Sequence, residues 1–458
     1  MSGTQRRVEL PYRPDATAIF STLRDLPGAV LLDSGNGLDD AGRYDILAAD
    51  PDPERSISLA PRPDASAVGD FFTRLKRIHL DSPTPATGTD ECLPFTGGLI
   101  GFLGYDAGLP LHGLISTDDR GSMPAAQVGY YPWAIVQDHA TRKSTVVAEA
   151  GVADAYIDEI VRRVQSANGL TTPFFLRRKF RTNLSAGDYA EAFSRVSDYI
   201  QGGDCYQVNL AQRFTAPFTG DPFSAYRLLR PLAAAAFAGY LDAGNGNALL
   251  CLSPERFLAL CSGNVSTQPI KGTRPRDSNP GRDRDIASEL QNSSKDRAEN
   301  LMIVDLLRND IGRNCQPGSI RVESLFALRS YPTVHHLVST IHGTLQSERS
   351  AVDLLRDSFP GGSVTGAPKR RAMQIIAELE PAPRQAYCGT LFYLCNSGRM
   401  DSNILIRSLV AEHGQLHCWA GGGLVADSRC ADEYQETLDK VGIFLRALEA
   451  GIPGSVAQ

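Results

Sequence analysis

The sequence predicts a mixed helix-and-strand protein built in two parts. Three observations carry that expectation. Residues 1 to about 170 are rich in Pro, Asp and Gly and hold only short apolar runs, a composition of strands and turns. From Ser185 onward the runs lengthen into amphipathic helical repeats that alternate with strand-like segments. At 458 residues and 42% hydrophobic content, the chain can bury a full core without disulfide or metal staples.

In the first part, the apolar runs Ala29–Leu32, Gly98–Leu103 and Trp133–Val136 read as strands. Loop-like composition at Ser82–Asp90 and Ser166–Thr172 marks connections, and the second is the expected boundary between an N-terminal unit (1–170) and a C-terminal unit (180–450). Ser185-x-x-Asp188 is a capping box, followed by Tyr189, Phe193, Val196 and Ile200 at helical spacing; Gly202-Gly203 stops the helix. A strand comes next, with Tyr206, Val208, Leu210 and Phe214 on one face and Gln207, Asn209 and Arg213 on the other. A helix starting near Ser293/Ser294 places Asp296 and Glu299 at i and i+3. A last helix, from about Ala431 to Leu448, carries a core stripe of Tyr434, Leu438, Val441, Leu445 and Leu448. Its Glu433, Glu436 and Lys440 share another face.

Composition narrows the function. A net charge of −6 without a polybasic run argues against nucleic acid or an anionic membrane as the main partner. The N-terminus has no apolar h-region, and the longest apolar stretch, Leu232–Leu241, is too short to span a bilayer. A cytoplasmic protein is expected. Nine scattered cysteines without a CxxC pair read as reduced, small apolar residues. Lysine occurs seven times against 39 arginines, so each lysine invites the question of why arginine would not serve.

Like charges at i and i+3 repel, so a cation shared between the two acid-bearing helices would explain both pairs. Mg²⁺ suits such oxygen ligands, keeps waters, and is commonly completed by an anionic substrate. No histidine falls in an HExxH pattern, against a zinc protease site. Two glycine clusters add backbone donors. PGGSVTGAPKRR (360–371) leads into a helix with Met373, Ile376 and Leu379, and Pro368 suits its first position. Ala367-Pro368 follows Gly366 where a nucleotide-binding loop would need Lys-Ser/Thr. The second cluster, Gly421 to Gly423, precedes the Glu433/Glu436 helix. Two such loops plus a metal suit a small dicarboxylate.

These strings together resemble the chorismate-utilising enzymes: SPERF (253–257), PIKGTRPR (269–276), AENLMIVDLLRNDIGR (298–313), GGSVTGAPK, MDSNILIR (400–407) and GGGLVADS…EYQET. The resemblance is strong from about 185 to 445 and weaker in LLDS (31–34), GRYDILAADP (42–51) and GGLIGFLGYD (97–106). It implies an α+β fold of the anthranilate synthase component I type, with two subdomains forming one large β-sandwich and helices outside. Anthranilate synthases carry alanine where this chain has Lys271, and a lysine there marks the branch that forms 4-amino-4-deoxychorismate. The chemistry agrees, because an amine can attack an electrophilic carbon and a guanidinium cannot. Isochorismate and salicylate synthases, which use water, carry lysine where this chain has Gln207.

The resemblance implies residue roles. Glu299 and Glu436 are the expected Mg²⁺ ligands, with Asp296 and Glu433 just outside them. Lys271 is the expected nucleophile and Glu255 the acid/base, with Thr273, His336 and Gln207 also catalytic. Thr365, Gly366, Tyr393, Arg407, Lys440 and Gly421, Gly422 and Gly423 are expected to hold the substrate. Because an amine must lose its proton to attack, the Lys271 pKa is expected to be lowered, by burial or by cations such as Arg274, Arg276 and Mg²⁺. No Cys sits in a GxCxG elbow, so ammonia is expected from a separate glutamine amidotransferase subunit. The family's tryptophan pocket pairs an LLES/LLDS segment with an Asn-Pro-x-Pro-Tyr/Phe segment; here the second reads AAAAFAGYL (233–241), so tryptophan binding is not expected.

Overall fold

The computed structural model describes residues 5–35, 42–83, 93–115, 121–166, 172–233, 235–331 and 334–452. Two antiparallel sheets face one another. The larger runs, in order, through Arg6–Leu10, Lys143–Ala148, Trp133–Asp138, Tyr44–Ala48, Val30–Asp33, Phe237–Gly244, Asn247–Ser253, Ser408–Glu412, Gln415–Leu424, Gln207–Gly220 and Arg181–Thr182. The smaller runs through Ile270–Pro275, Val334–Thr344, Asn264–Gln268, Arg256–Cys261, Met400–Asn403, Thr390–Cys395, Gly98–Leu103, Ala126–Tyr131 and Asp52–Leu59, with Arg321–Ser330 added on Val334–Thr344. Strands from before and after residue 170 are neighbours in both sheets. This is the expected α+β sandwich. Most of the Ser166–Thr172 connection and most of Ser82–Asp90 lie outside the described residues.

Strand periodicity builds the two cores. In Asn247–Ser253, Leu249 and Cys251 point between the sheets, while Leu250 and Leu252 point to the outer layer of helices. Burying each leucine contributes roughly 1.5–3 kcal/mol. The outer layer over the larger sheet includes Ala16–Phe20, Asp154–Gln165, Pro222–Ala233 and Cys430–Glu449.

The predicted elements around the glycine and acid motifs form, with small shifts. The Ser185/Asp188 capping box starts Ala186–Gln201, and Gly202 ends it. Ser293 caps Ser294–Gly312 by accepting the Asp296 amide N–H. The last helix spans Cys430–Glu449, with Val441, Phe444 and Leu448 buried. Pro368 is the cap of Lys369–Leu379 and not its first residue, since its ψ of 140° is extended.

Candidate active site

Four segments of backbone place the site. Gln207–Gly220 pairs with Gln415–Leu424 so that Asn209 lies opposite Gly423 and Ala211 opposite Gly421. The short Gly366–Ala367 strand pairs with Gln207–Val208. The Ile270–Pro275 strand lies on Val334–Thr344, with Thr273 opposite His336. Against these edges pack Ser294–Gly312 and Cys430–Glu449, which deliver the acid pairs.

Lys271 stands where these segments meet, its side chain 15% exposed. Its ammonium lies 3.3 Å from Glu299 Oε1 and donates to the Ser363 carbonyl at 3.2 Å. Burial pulls its pKa down, but Glu299 and Glu255 outweigh that, and the net direction is up. The expected lowering is therefore not found in this arrangement. The cations expected to lower it are occupied elsewhere: Arg274 pairs with Asp296 at 3.2 Å and Arg276 with Asp283 at 2.7 Å. Glu255 is buried, and burial pushes its pKa up; Lys271 and the Ser363 hydroxyl act in the opposite direction. A carboxyl whose pKa is raised by burial and that lies beside an amine can take up and return a proton, which suits an acid/base role.

Gln207 Nε2 donates to the same Glu299 oxygen at 3.3 Å. Thr273 Oγ1 and His336 Nδ1 are 2.9 Å apart, and burial, with Arg407 nearby, holds the His336 pKa down at about 4. His336 is thus a neutral imidazole at physiological pH. Arg407, at a positive φ of 50°, makes no ion pair among the described residues. A partly exposed guanidinium without a carboxylate partner is suited to a substrate carboxylate. Thr365 is fully buried; its hydroxyl donates to the Gly361 carbonyl at 3.1 Å, its amide N–H to the Gly362 carbonyl at 3.3 Å, and its carbonyl accepts the Asn209 amide N–H at 2.9 Å, so its polar groups hold the loop in this arrangement.

The acids converge on the glycine strand. A Cβ at Gly422 would lie 3.1 Å from Glu433 Oε2 and 3.8 Å from Glu436 Oε1, and one at Gly423 would lie 3.3 Å from Glu299 Oε1. Like charges so close need compensation, and lysines supply it: Lys440 lies 2.6 Å from Glu436, Lys295 3.9 Å from Glu433, and Lys271 holds Glu299. Burial raises the Glu433 pKa, with Glu436 repulsion adding to it, and the Lys440 pair brings Glu436 below its ordinary value despite burial. Among the described residues no three His, Cys, Asp or Glu side chains are already closed around one point. The donor set is nonetheless all oxygen, spans two helices, and fits a hard divalent cation once the ammonium groups yield.

Asp296 sits under the neighbouring backbone, 3.0 Å from where a Gly272 Cβ would be, and is tied to Arg274. Lys440 also donates to the Gly421 carbonyl at 2.9 Å, which seats it on the glycine strand. Tyr393 is the residue that the structure does not bring here. It lines a cavity of about 120 Å³ between the sheets with Arg256, Arg399 and Asp401. Leu32–Ser34 of LLDS and Phe237–Ala238 of AAAAFAGYL line the same cavity. Strand alternation explains the placement, because Tyr393 pairs with Asp401 and shares its face.

Reading the sequence missed Ser363, whose carbonyl anchors Lys271, and Ser428, whose hydroxyl donates to Glu433 at 2.6 Å. Ser363 lies inside the glycine motif 360–371, but a backbone carbonyl carries no residue-type signal. The crowding at Gly423 makes a prediction. A Cβ there would fall 1.9 Å from Gln207 Nε2, so Gly423→Ala must displace the amide and break its bond to Glu299. Activity should fall at least ~10-fold with the melting temperature little changed, since a misplacement of about 1 Å can cost far more than that. Steady-state kinetics beside thermal unfolding checks it.

Comparison with known proteins fits this geometry. The family model described as chorismate binding enzyme matches residues 42–446. Aminodeoxychorismate synthase component 1 of Salmonella typhimurium is 45% identical over 96% of this chain and 98% of its own length. The Escherichia coli protein of the same name is 42% identical over 96% and 98%. Among solved structures, anthranilate synthase component I from Streptococcus pneumoniae superposes with a TM-score of 0.74 at 30% identity, covering 88% of this chain and 92% of the other. The chain belongs to the chorismate-binding enzymes, within the group of aminodeoxychorismate synthase component 1 proteins.

Proposed function

We propose that the protein converts chorismate and ammonia to 4-amino-4-deoxychorismate through a covalent bond to Lys271. The observation that carries this reading is a largely buried amine held among Glu299, Glu255 and the Ser363 carbonyl, where the motif of a sister enzyme has alanine. Substrate carboxylates would be received by Arg407, by Lys440 and by the backbone of Gly421 to Gly423 and of Gly366, which Thr365 helps to hold in place. Glu299 and Glu436, paired here with Lys271 and Lys440, are the acids that would be shared with a metal ion when the site is loaded.

The steps balance in protons. Lys271 first yields its proton to Glu255, which burial predisposes to hold it. The neutral amine adds at ring C2, the double bonds shift, and the C4–O bond breaks as Glu255 protonates the departing hydroxyl to water. Ammonia then forms the C4–N bond, the double bonds shift back, and the C2–N electron pair returns to Lys271. The new ammonium group gives its extra proton to Glu255, and return of that proton to Lys271 restores the starting state. Amination thus proceeds with retention at C4.

Glu299 and Glu436 would hold Mg²⁺, with Glu433 and Asp296 behind them. When bound, the ion would neutralise these acids and polarise the ring carboxylate of the substrate. Ammonia would come from a separate glutamine amidotransferase subunit. The expected result with the purified chain is no product from glutamine, product from ammonium at alkaline pH, and recovered glutamine use when such a subunit is added. Chromatographic identification of the product tests the whole reading. A 2-amino product would instead assign the reaction to the anthranilate type, and glutamine hydrolysis by the chain alone would refute the two-subunit arrangement.

A further inference from the structure

Behind the catalytic face lies an ion pair that the reaction does not use. Arg384 is 1% exposed and Glu380 6%; Glu380 is the C-cap of the Lys369–Leu379 helix, and Arg384 follows four residues later. The pairing is bidentate, with Arg384 Nε 2.9 Å from Glu380 Oε2 and Nη2 2.6 Å from Oε1. Removing two charges from water costs several kcal/mol, and an apolar pair of the same size would do as well for packing. The extra bonds of this pair point to another purpose.

Arg384 Nη1 donates to the Val364 carbonyl at 3.0 Å, and Nη2 donates to the Asn209 carbonyl at 2.6 Å. Glu380 Oε1 accepts the Ala211 amide N–H at 2.9 Å. Val364 is flanked by Ser363, the anchor of Lys271, and by Thr365, whose carbonyl accepts the Asn209 amide N–H at 2.9 Å. Asn209 is two residues from Gln207, and both lie on the strand that faces Gly421 and Gly423. The guanidinium also lies 4.7 Å from the Tyr105 ring centroid and 5.7 Å from that of Tyr387. Tyr387 in turn stacks on Trp419, two residues before Gly421, at 6.3 Å and 7°. One guanidinium therefore touches the glycine loop and the Gln207 strand directly, and reaches the Gly421–Gly423 strand through two rings.

We propose that Arg384 is a positioning residue: with Glu380 it locks the Ser363–Gly366 loop against the Gln207–Ala211 segment and so sets the Lys271 amine and the Glu255 carboxyl in attacking geometry. The proposal rests on the reading of the site as one that consumes chorismate. Arginine is required because its planar fork serves one carboxylate and two diverging carbonyls at once. A lysine ammonium in the same space can keep the charge and the Glu380 contact but cannot reach both carbonyls.

The test uses the full chain with Mg²⁺, chorismate and ammonium, and follows chorismate consumption, so that product identity bears on the reaction and not on Arg384. Arg384→Lys should fold, by circular dichroism, and lose about 10²-fold in kcat, the cost of a misplacement near 1 Å, with KM for chorismate changed less than about threefold. The paired variant Arg384→Met/Glu380→Leu removes both charges and should show the same loss while folded. Turnover by either folded variant within about threefold of wild type overturns the proposal, and so does a loss confined to KM. Should neither variant fold, the pair serves the fold alone and the proposal falls.

Discussion

Lys271→Arg will lose 4-amino-4-deoxychorismate formation by ~10³-fold or more, although the positive charge survives. The charge is not what the site lacks: Glu299 lies 3.3 Å from the Lys271 ammonium, and Glu255 and Glu436 add to the attraction. A guanidinium would satisfy these acids equally well. What it cannot do is shed a proton and attack carbon. Lys271→Ala should lose the same product and let ammonia add at C2 instead, because the position that the amine would occupy becomes open. Product chromatography reads both variants. Intact-mass spectrometry of the wild type, held with chorismate and no ammonia, should show an adduct that maps to Lys271. Near-normal synthesis of the 4-amino product by Lys271→Arg would remove the covalent mechanism.

Glu299→Gln and Glu436→Gln should each abolish turnover, by more than ~10²-fold, given that even outer partners of metal ligands are worth about 10–100-fold. Glu299 and Glu436 lie on two different helices, and a Cβ on Gly422 or Gly423 would come within 3.3–3.8 Å of them. Neither substitution should unfold the protein, because Glu436 is half exposed and Glu299 about one-fifth exposed. Calorimetric titration with Mg²⁺ in the presence of chorismate gives a second readout, in which wild type should bind and both variants should not. Full turnover in excess EDTA would refute the metal requirement.

Local patterns in the chain specify structure where the signal is local. The Ser185/Asp188 capping box, the acid pairs at i and i+3, and the strand with Gln207 opposite to Val208 all depend on neighbours within one turn or one pleat. Tyr393 shows where this fails. Its residue type fits a substrate contact, but its orientation is set by the register of Thr390–Cys395 against Met400–Asn403, which places it beside Asp401 in the inter-sheet cavity. A one-residue difference in register reverses the face, and no local signal reports it.

The sequence by itself determined the chemical inventory: the lysine at 271, the oxygen-only acid pairs, the glycine segments and the membership that these motifs announce together. Those are properties of residue identity and short spacing. The tertiary structure decided what each group confronts. It put Glu299 and Glu255 on Lys271, so that the amine's pKa moves up and not down, and it gave Arg274 and Arg276 to Asp296 and Asp283. It also brought Arg384 to carbonyls at Val364 and Asn209, 20 and 175 positions away in the chain. The physical reason is the same in each case. Protonation and hydrogen bonding depend on charges and dipoles within a few ångströms, and at long sequence separation only packing of the two sheets and their helices decides which groups come that close.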